Sequence, residues 1–176
     1  MPPVPSSAPR RAALAGALLL PAALLVGCSS ASGASCAGSA AVREDLAAQP
    51  VLSAAPAGAS DPANYRGKAA SSGCDDDSSG PAWVHADRVY AFTGTRQAVI
   101  EHYTRTAAAE GWQSEPGPGT EGSCWTRASH GRHLLLAVDF RLGGWTPAPD
   151  PGSGLVYEVS VGSNADGSAD DAGCSD

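Results

Sequence analysis

From Val84 onward the chain alternates apolar and polar residues in runs that read as strands, with one helical run among them. Val84, Ala86, Tyr90 and Phe92 take alternate positions, with Arg88 on the same face, which predicts a half-buried strand. Thr95 then suits a helix N-cap, and Val99, Ile100, Tyr103 and Ala107 share one helical face up to about Glu110. Glu101 and Arg105 form a favourable exposed i,i+4 pair on that helix. Gly111 supplies a left-handed stop, after which Trp112 can fold back on the last turn. A second strand is expected over Cys124 to Ala128, followed by a hairpin turn at Ser129-His130-Gly131-Arg132. The third strand sets Leu134, Leu136, Val138 and Phe140 on one face. The fourth sets Leu155, Tyr157, Val159 and Val161 on one face and Val156, Glu158 and Ser160 on the other.

The order strand, helix, three strands, each strand apolar on one side, predicts the α+β class. The expected domain has two layers: an antiparallel four-stranded sheet with one main helix covering one face. Before it, residues 40–49 suit a short helix with Val42 and Leu46 on one stripe, ending before Pro50. Residues 50–81 are rich in Pro, Gly, Ser and Asp and read as irregular, while 163–176 read as a polar, acidic tail.

The longest apolar run lies elsewhere, from Ala12 to Val26, behind Arg10 and Arg11. A charged start, a short apolar stretch and small residues at its end describe an export signal. A membrane-spanning helix needs about 20 apolar residues, and Pro21 interrupts a run shorter than that. Leu25-Val26-Gly27-Cys28 resembles the lipobox of bacterial lipoproteins. By that resemblance Cys28 is the lipidation site and residues 1–27 are removed. Residues 28–39, mostly Ser, Ala and Gly, then form a flexible tether, with the extracytoplasmic domain over 40–162. The expected location is the outer face of the cytoplasmic membrane, held by a lipid anchor. Arg10-Arg11 with Leu14 partly matches a twin-arginine signal, but Ala13 stands where Phe is preferred, which favours the general secretory route.

Charge narrows the partners. Arg10 and Arg11 are the only charged residues before Cys28, so nine basic residues face eighteen acidic ones in the remainder. Nucleic-acid binding, which needs a cationic stripe, is excluded, as is an electrostatic grip on anionic lipid. Lys68 is the single lysine against ten arginines, and Ala, Gly and Pro are abundant, a usage typical of high-GC genes. Besides Cys28 there are Cys36, Cys74, Cys124 and Cys174, an even number that reads as two disulfides with three connectivities open. We expect Cys74 with Cys124 and Cys36 with Cys174.

Four places offer chemistry. Asp75, Asp77, Ser79 and Gly80 match the opening of a calcium loop, but its twelfth position, which should be Glu, is Ala86, with Asp87 one place late. They are weak metal candidates beside a reading as a solvated acidic turn. His130 and His133 flank a hairpin tip without further ligands nearby in sequence. His85 should point to solvent and His102 should be partly buried beside the helix stripe. No Gly-x-Ser-x-Gly, His-Glu-x-x-His, phosphate loop or Ser-x-x-Lys occurs, and Glu101, Glu110 and Glu158 read as solubilising charge. Of the four tryptophans, Trp83 and Trp112 are expected to close the core. Trp145, in the Gly/Pro loop Leu142-Gly143-Gly144-Trp145-Thr146-Pro147, is the candidate contact residue.

Val99-Ile100, Tyr103, Gly111-Trp112 and Cys124-Trp125, with the lipobox, resemble small actinobacterial exported lipoproteins of unassigned role. The resemblance spans Trp83 to Val161 and implies a fold and a compartment, with no catalytic residue to carry over. The resulting expectation is a non-catalytic, membrane-anchored lipoprotein without a cofactor. It binds an envelope protein or cell-wall ligand through the open sheet face or the Trp145 loop. A calcium- or small-ligand-binding lipoprotein is the alternative, and an enzyme without a recognisable motif stands behind both.

Overall fold

The computed structural model describes residues 35–76, 80–115, 122–169 and 174. In chain order they form α1 (Ala40–Ala47), short 3-10 turns at Pro50–Ser53 and Ala63–Tyr65, β1 (Ala70–Asp75), β2 (Trp83–Phe92) and α2 (Arg96–Ala109). Then come β3 (Gln113–Ser114), β4 (Gly122–Ser129), β5 (Arg132–Asp139) and β6 (Leu155–Asn164). All strands join one antiparallel sheet in the order β1-β2-β6-β5-β4-β3.

The expected four-stranded α+β sheet with one main helix is therefore corrected to a mostly β fold, with six strands and two helices among the described residues. The four strands read from the pattern are the inner ones, β2, β6, β5 and β4. Both edges were missed, for one physical reason. An edge strand pairs on one side only and need not carry an apolar face. Thus β1 is Ala-Ser-Ser-Gly-Cys-Asp, and β3 is two residues set against Trp125 and Thr126.

Registers align Ser72, Ala86, Val161, Leu136, Trp125 and Ser114 in one row across all six strands. Residues directly opposite in antiparallel pairs share a face, so this row marks the core side. Against it pack Leu46 of α1, Val51 and Leu52 of the first 3-10 turn, and Val99, Tyr103 and Ala107 of α2. Leu136, Val161, Val99 and Tyr103 are wholly buried. Three tyrosines fill the thickest part: Tyr90 stacks on Tyr157 at 5.5 Å and Tyr103 meets Tyr157 edge-on at 6.0 Å. The Tyr90 hydroxyl donates to the Leu52 carbonyl at 2.7 Å, tying the 3-10 turn to the sheet.

Helix α2 starts where Thr95 predicted, its Oγ1 accepting from the Ala98 amide at 3.2 Å. At its end the Trp112 amide donates back to the Ala107 carbonyl, and the Arg127 guanidinium lies 4.3 Å over the buried Trp112 ring. The hairpin at His130-Gly131 has positive φ at both residues (50° and 75°), as a two-residue turn between twisted strands requires. Strand β6 runs to Asn164, past the start of the expected tail, and the next turn docks through Ala165 N–H to the Ala82 carbonyl.

All four remaining cysteines form disulfides, but the pairs are Cys36–Cys74 and Cys124–Cys174. The expected Cys74–Cys124 bridge is ruled out by strand order. β1 and β4 are separated by β2, β6 and β5, about 19 Å at ordinary strand spacing, whereas bridged Cα atoms lie about 4.4–6.8 Å apart. Cys74 pairs with Val84 on the core side, while Cys124 pairs with Ala137 in the row of Asp87, on the opposite face. One bridge therefore fastens the segment before α1 to the helical side, and the other pins Cys174 to the polar side.

Residues 1–34, with the Leu25–Cys28 motif, lie outside the described residues, as do Asp77 and Ser79. No helix among the described residues is long and apolar enough to cross a membrane.

Candidate functional site

The second face of the sheet is where polar residues collect. One row across it is Gly73, His85, Gly162, Leu135, Thr126 and Gln113, and the next contains Ser71, Asp87, Ser160 and Ala137. Alternation on β2 and β6 thus sends His85, Asp87, Glu158 and Ser160 to one side, while their sequence neighbours build the core.

This face is not open. The connection between β5 and β6 folds over part of it, and the turn Ala63–Tyr65 fastens it there. The Tyr65 hydroxyl donates to the Pro147 carbonyl at 2.6 Å, and Asn64 donates to the Ala148 carbonyl and accepts from the Asp150 amide, both at 2.9 Å. Trp145 is held from two sides. Its ring meets Tyr65 edge-on at 5.1 Å, and its indole N–H donates to Glu158 Oε2 at 2.5 Å. A groove of about 490 Å³ remains between loop and sheet, walled by Tyr65, Trp83 and Trp145 and floored by Asp87, His85 and Glu158.

Two glycines give the floor its shape. A Cβ at Gly162 would stand 2.0 Å from Cζ2 of Trp83, so the indole lies across bare backbone of β6. A Cβ at Gly73 would stand 2.6 Å from Nε2 of His85, so the imidazole occupies the matching space over β1. The expectation that Trp83 closes the core is corrected: it lines the groove on the other face. His85 is corrected likewise, since its side chain keeps only 23% exposure instead of pointing to solvent.

Electrostatics bind the floor together. His85 Nδ1 lies 2.6 Å from Asp87 Oδ2, which also accepts from the Ser71 hydroxyl at 3.1 Å, and His85 Nε2 lies 3.4 Å from Asp75. The hydrogen bond to Asp87 raises the imidazole pKa above its ordinary 6.5. Burial opposes this, and the charges of Asp87, Asp75 and Glu158 add to it. Glu158 is also raised, above 4.5, chiefly by desolvation. The Trp145 hydrogen bond offsets part of that shift, and Asp87 and Asp139 push it further up. The groove thus holds an imidazole that faces carboxylates through both nitrogens and keeps its proton to higher pH than usual, and a carboxyl that does the same.

Other candidates separate. Asp75 ends β1 beside His85, and Ala86, at the twelfth calcium-loop position, is a buried core residue on β2. Among the described residues no group of three or more His, Cys, Asp or Glu could hold a metal ion. His102 Nε2 lies 2.6 Å from the Ala54 carbonyl, a satisfied, partly buried histidine. Glu101 accepts from Gln97 on α2, in the layer opposite Glu158. Sequence reasoning found Trp145 and missed Tyr65, Ser71, Asp87 and Glu158. The signal was present as polar pairs at i and i+2, His85/Asp87 and Glu158/Ser160, on the non-core side of two strands.

Compared with known proteins, the chain matches no family model, no curated protein and no solved structure.

Proposed function

We propose that this protein is an exported, lipid-anchored lipoprotein, tethered at Cys28, that binds a small polar ligand of the cell envelope without transforming it. The observation that carries the binding role is the groove itself, in which aromatic walls from three separate elements converge on a carboxylate floor. Aromatic side chains beside several convergent polar groups give a concave site both contact area and a means of orienting a ligand. The anchoring role rests on Leu25-Val26-Gly27-Cys28.

The non-catalytic reading is supported by His85. Its Nδ1 is engaged by Asp87 at 2.6 Å, its Nε2 faces Asp75 at 3.4 Å, and one Glu158 oxygen is occupied by the Trp145 indole, so the polar groups of the floor are tied to one another.

The test is cross-linking in membranes from a photoreactive residue at exposed Thr146, with mass spectrometry of the adducts and Trp145→Ala as control. A small adduct lost in the control is the expected result. One dominant protein adduct would replace the ligand by a partner protein, and adducts unchanged by Trp145→Ala would remove the groove from the function.

A further inference from the structure

We infer that the ligand of this groove carries a positive charge: it is an organic ammonium ion, bound by its cationic head. The inference rests on the groove being a ligand site, as proposed above, and adds the chemistry of what enters. Among the described residues, three carboxylates, Asp75, Asp87 and Glu158, line the groove together with one basic group, His85, and no Lys or Arg. That one group is shared by Asp87 on one nitrogen and Asp75 on the other, so it can balance at most one of the three carboxylates. The surplus charge is therefore negative, on a floor partly sheltered from water, where a Coulombic attraction is worth several times its value in bulk solvent.

The walls point the same way by an independent route. Tyr65, Trp83 and Trp145 come from a 3-10 turn, a strand and a loop, and an aromatic face attracts a cation through its quadrupole. Trp83 spreads across Gly162, which leaves its outer ring face to the groove. Trp145 turns its N–H edge to Glu158, which fixes the acid beside that indole. Neutral sugars also stack on such rings, but they gain nothing from uncompensated carboxylates. Anions are repelled by them. An ammonium group bearing methyl or methylene carbons satisfies both surfaces at once: its charge faces Asp75 and Glu158, and its carbons face the rings.

The experiment is a titration of the full chain in detergent, read by tryptophan fluorescence. Choline is paired with its neutral isostere 3,3-dimethylbutan-1-ol, and glucosamine with N-acetylglucosamine. At least one amine should bind saturably and about tenfold more tightly than its neutral counterpart. That advantage should shrink about tenfold in Glu158→Gln, which retains an acceptor for the Trp145 indole, and in Asp75→Asn, whose side chain is 76% exposed. Equal binding of a neutral partner, lost in Trp145→Ala, overturns the charge assignment and keeps the groove. Amine binding indifferent to both charge-removing variants overturns the charge assignment as well. No saturable response to any of the four compounds overturns the charge assignment and counts against the groove. If amines bind, retention of the protein on isolated wall material, lost after chemical N-acetylation, identifies a polymer-borne amine. Retention unchanged by acetylation identifies a free one.

Discussion

The two faces of this sheet are built by the same inner strands and obey opposite rules. The helix-covered face is continuous and apolar, and Val84, Ala86, Leu136, Val159 and Val161 lose essentially all exposure. The loop-covered face is discontinuous, with glycine next to imidazole, carboxylate next to indole, and side chains still partly open to water. The first is held by area removed from water, which is insensitive to pH and tolerant of exact shape. The second is held by a few directed hydrogen bonds, so its geometry changes with protonation. Separating them across one sheet lets a site be formed from costly polar groups while the opposite layer supplies the stability.

That separation is broken most severely from the apolar side. Leu136→Asp places an unpaired charge at the centre of the row Ala86, Val161, Leu136, Trp125, and should cost at least about 4 kcal/mol. Loss of the folded circular-dichroism spectrum is the expected result. A normally folded variant would mean that Leu136 does not face the core.

The disulfides sharpen the comparison, because one lies on each side. Cys36–Cys74 closes 38 residues and Cys124–Cys174 closes 50, and the chain-entropy treatment assigns about 4 kcal/mol to each. Double serine variants of each pair should therefore melt lower by similar amounts. Only the Cys36/Cys74 variant should loosen β1 and with it Ser71 and Asp75 at the groove. Proteolysis or hydrogen exchange across 70–75 checks this. Equal protection of β1 in both variants would detach the bridge from the site.

How much of this was legible depended on which face a residue served. Apolar periodicity reveals a strand only when one of its sides is buried in a core, so β2, β4, β5 and β6 were readable and α2 with them, down to its Thr95 cap. The edges carry no such pattern: β1 owes its place to pairing with β2 and to Cys74, neither of which leaves a period in Ala-Ser-Ser-Gly-Cys-Asp. Disulfide pairing was unreadable for the same reason, since it depends on strand order, and β6 inserts between β2 and β5 after the rest of the sheet has passed in sequence. The groove needed register as well. Nothing along the chain announces that Gly162 will stand opposite His85, or that Trp145 will reach Glu158. Trp145 was visible as a large aromatic on a Gly/Pro loop, and Asp75 as the start of an acidic turn.

A smaller effect comes from pH and concerns the polar face alone. His85 has a folded pKa above its ordinary 6.5, so its contribution to stability is full below that value and is lost as pH rises through the folded pKa. Glu158 has the same sign for the opposite chemical reason. Its raised pKa means that the folded state prefers the protonated carboxyl, a contribution present below 4.5 and lost as pH climbs past the folded value. The melting temperature should therefore fall as pH rises above the ordinary histidine value of 6.5, and His85→Gln should flatten that slope. Leu136 and its neighbours do not titrate, so a slope that survives His85→Gln would have to come from Glu158 or from outside this face.

The smallest expected effect on stability is the most selective for the groove. Gly162→Ala adds one methyl group on the polar side of β6, 2.0 Å from the far edge of the Trp83 indole, where a flexible ring can swing away. Because the neighbours Val161 and Ser163 keep their places on the core side, the cost should be about 1–2 kcal/mol, in the range of a local overpacking. Trp83, displaced from its seat over the strand, becomes more exposed, and its fluorescence should shift to the red with little change in the circular dichroism of the sheet. A red shift together with weakened ligand binding would show that the wall of the groove can be moved without touching the core. Loss of the fold instead would show that Trp83 supports both faces, and that the division of labour between them is less complete than the row of buried aliphatics implies.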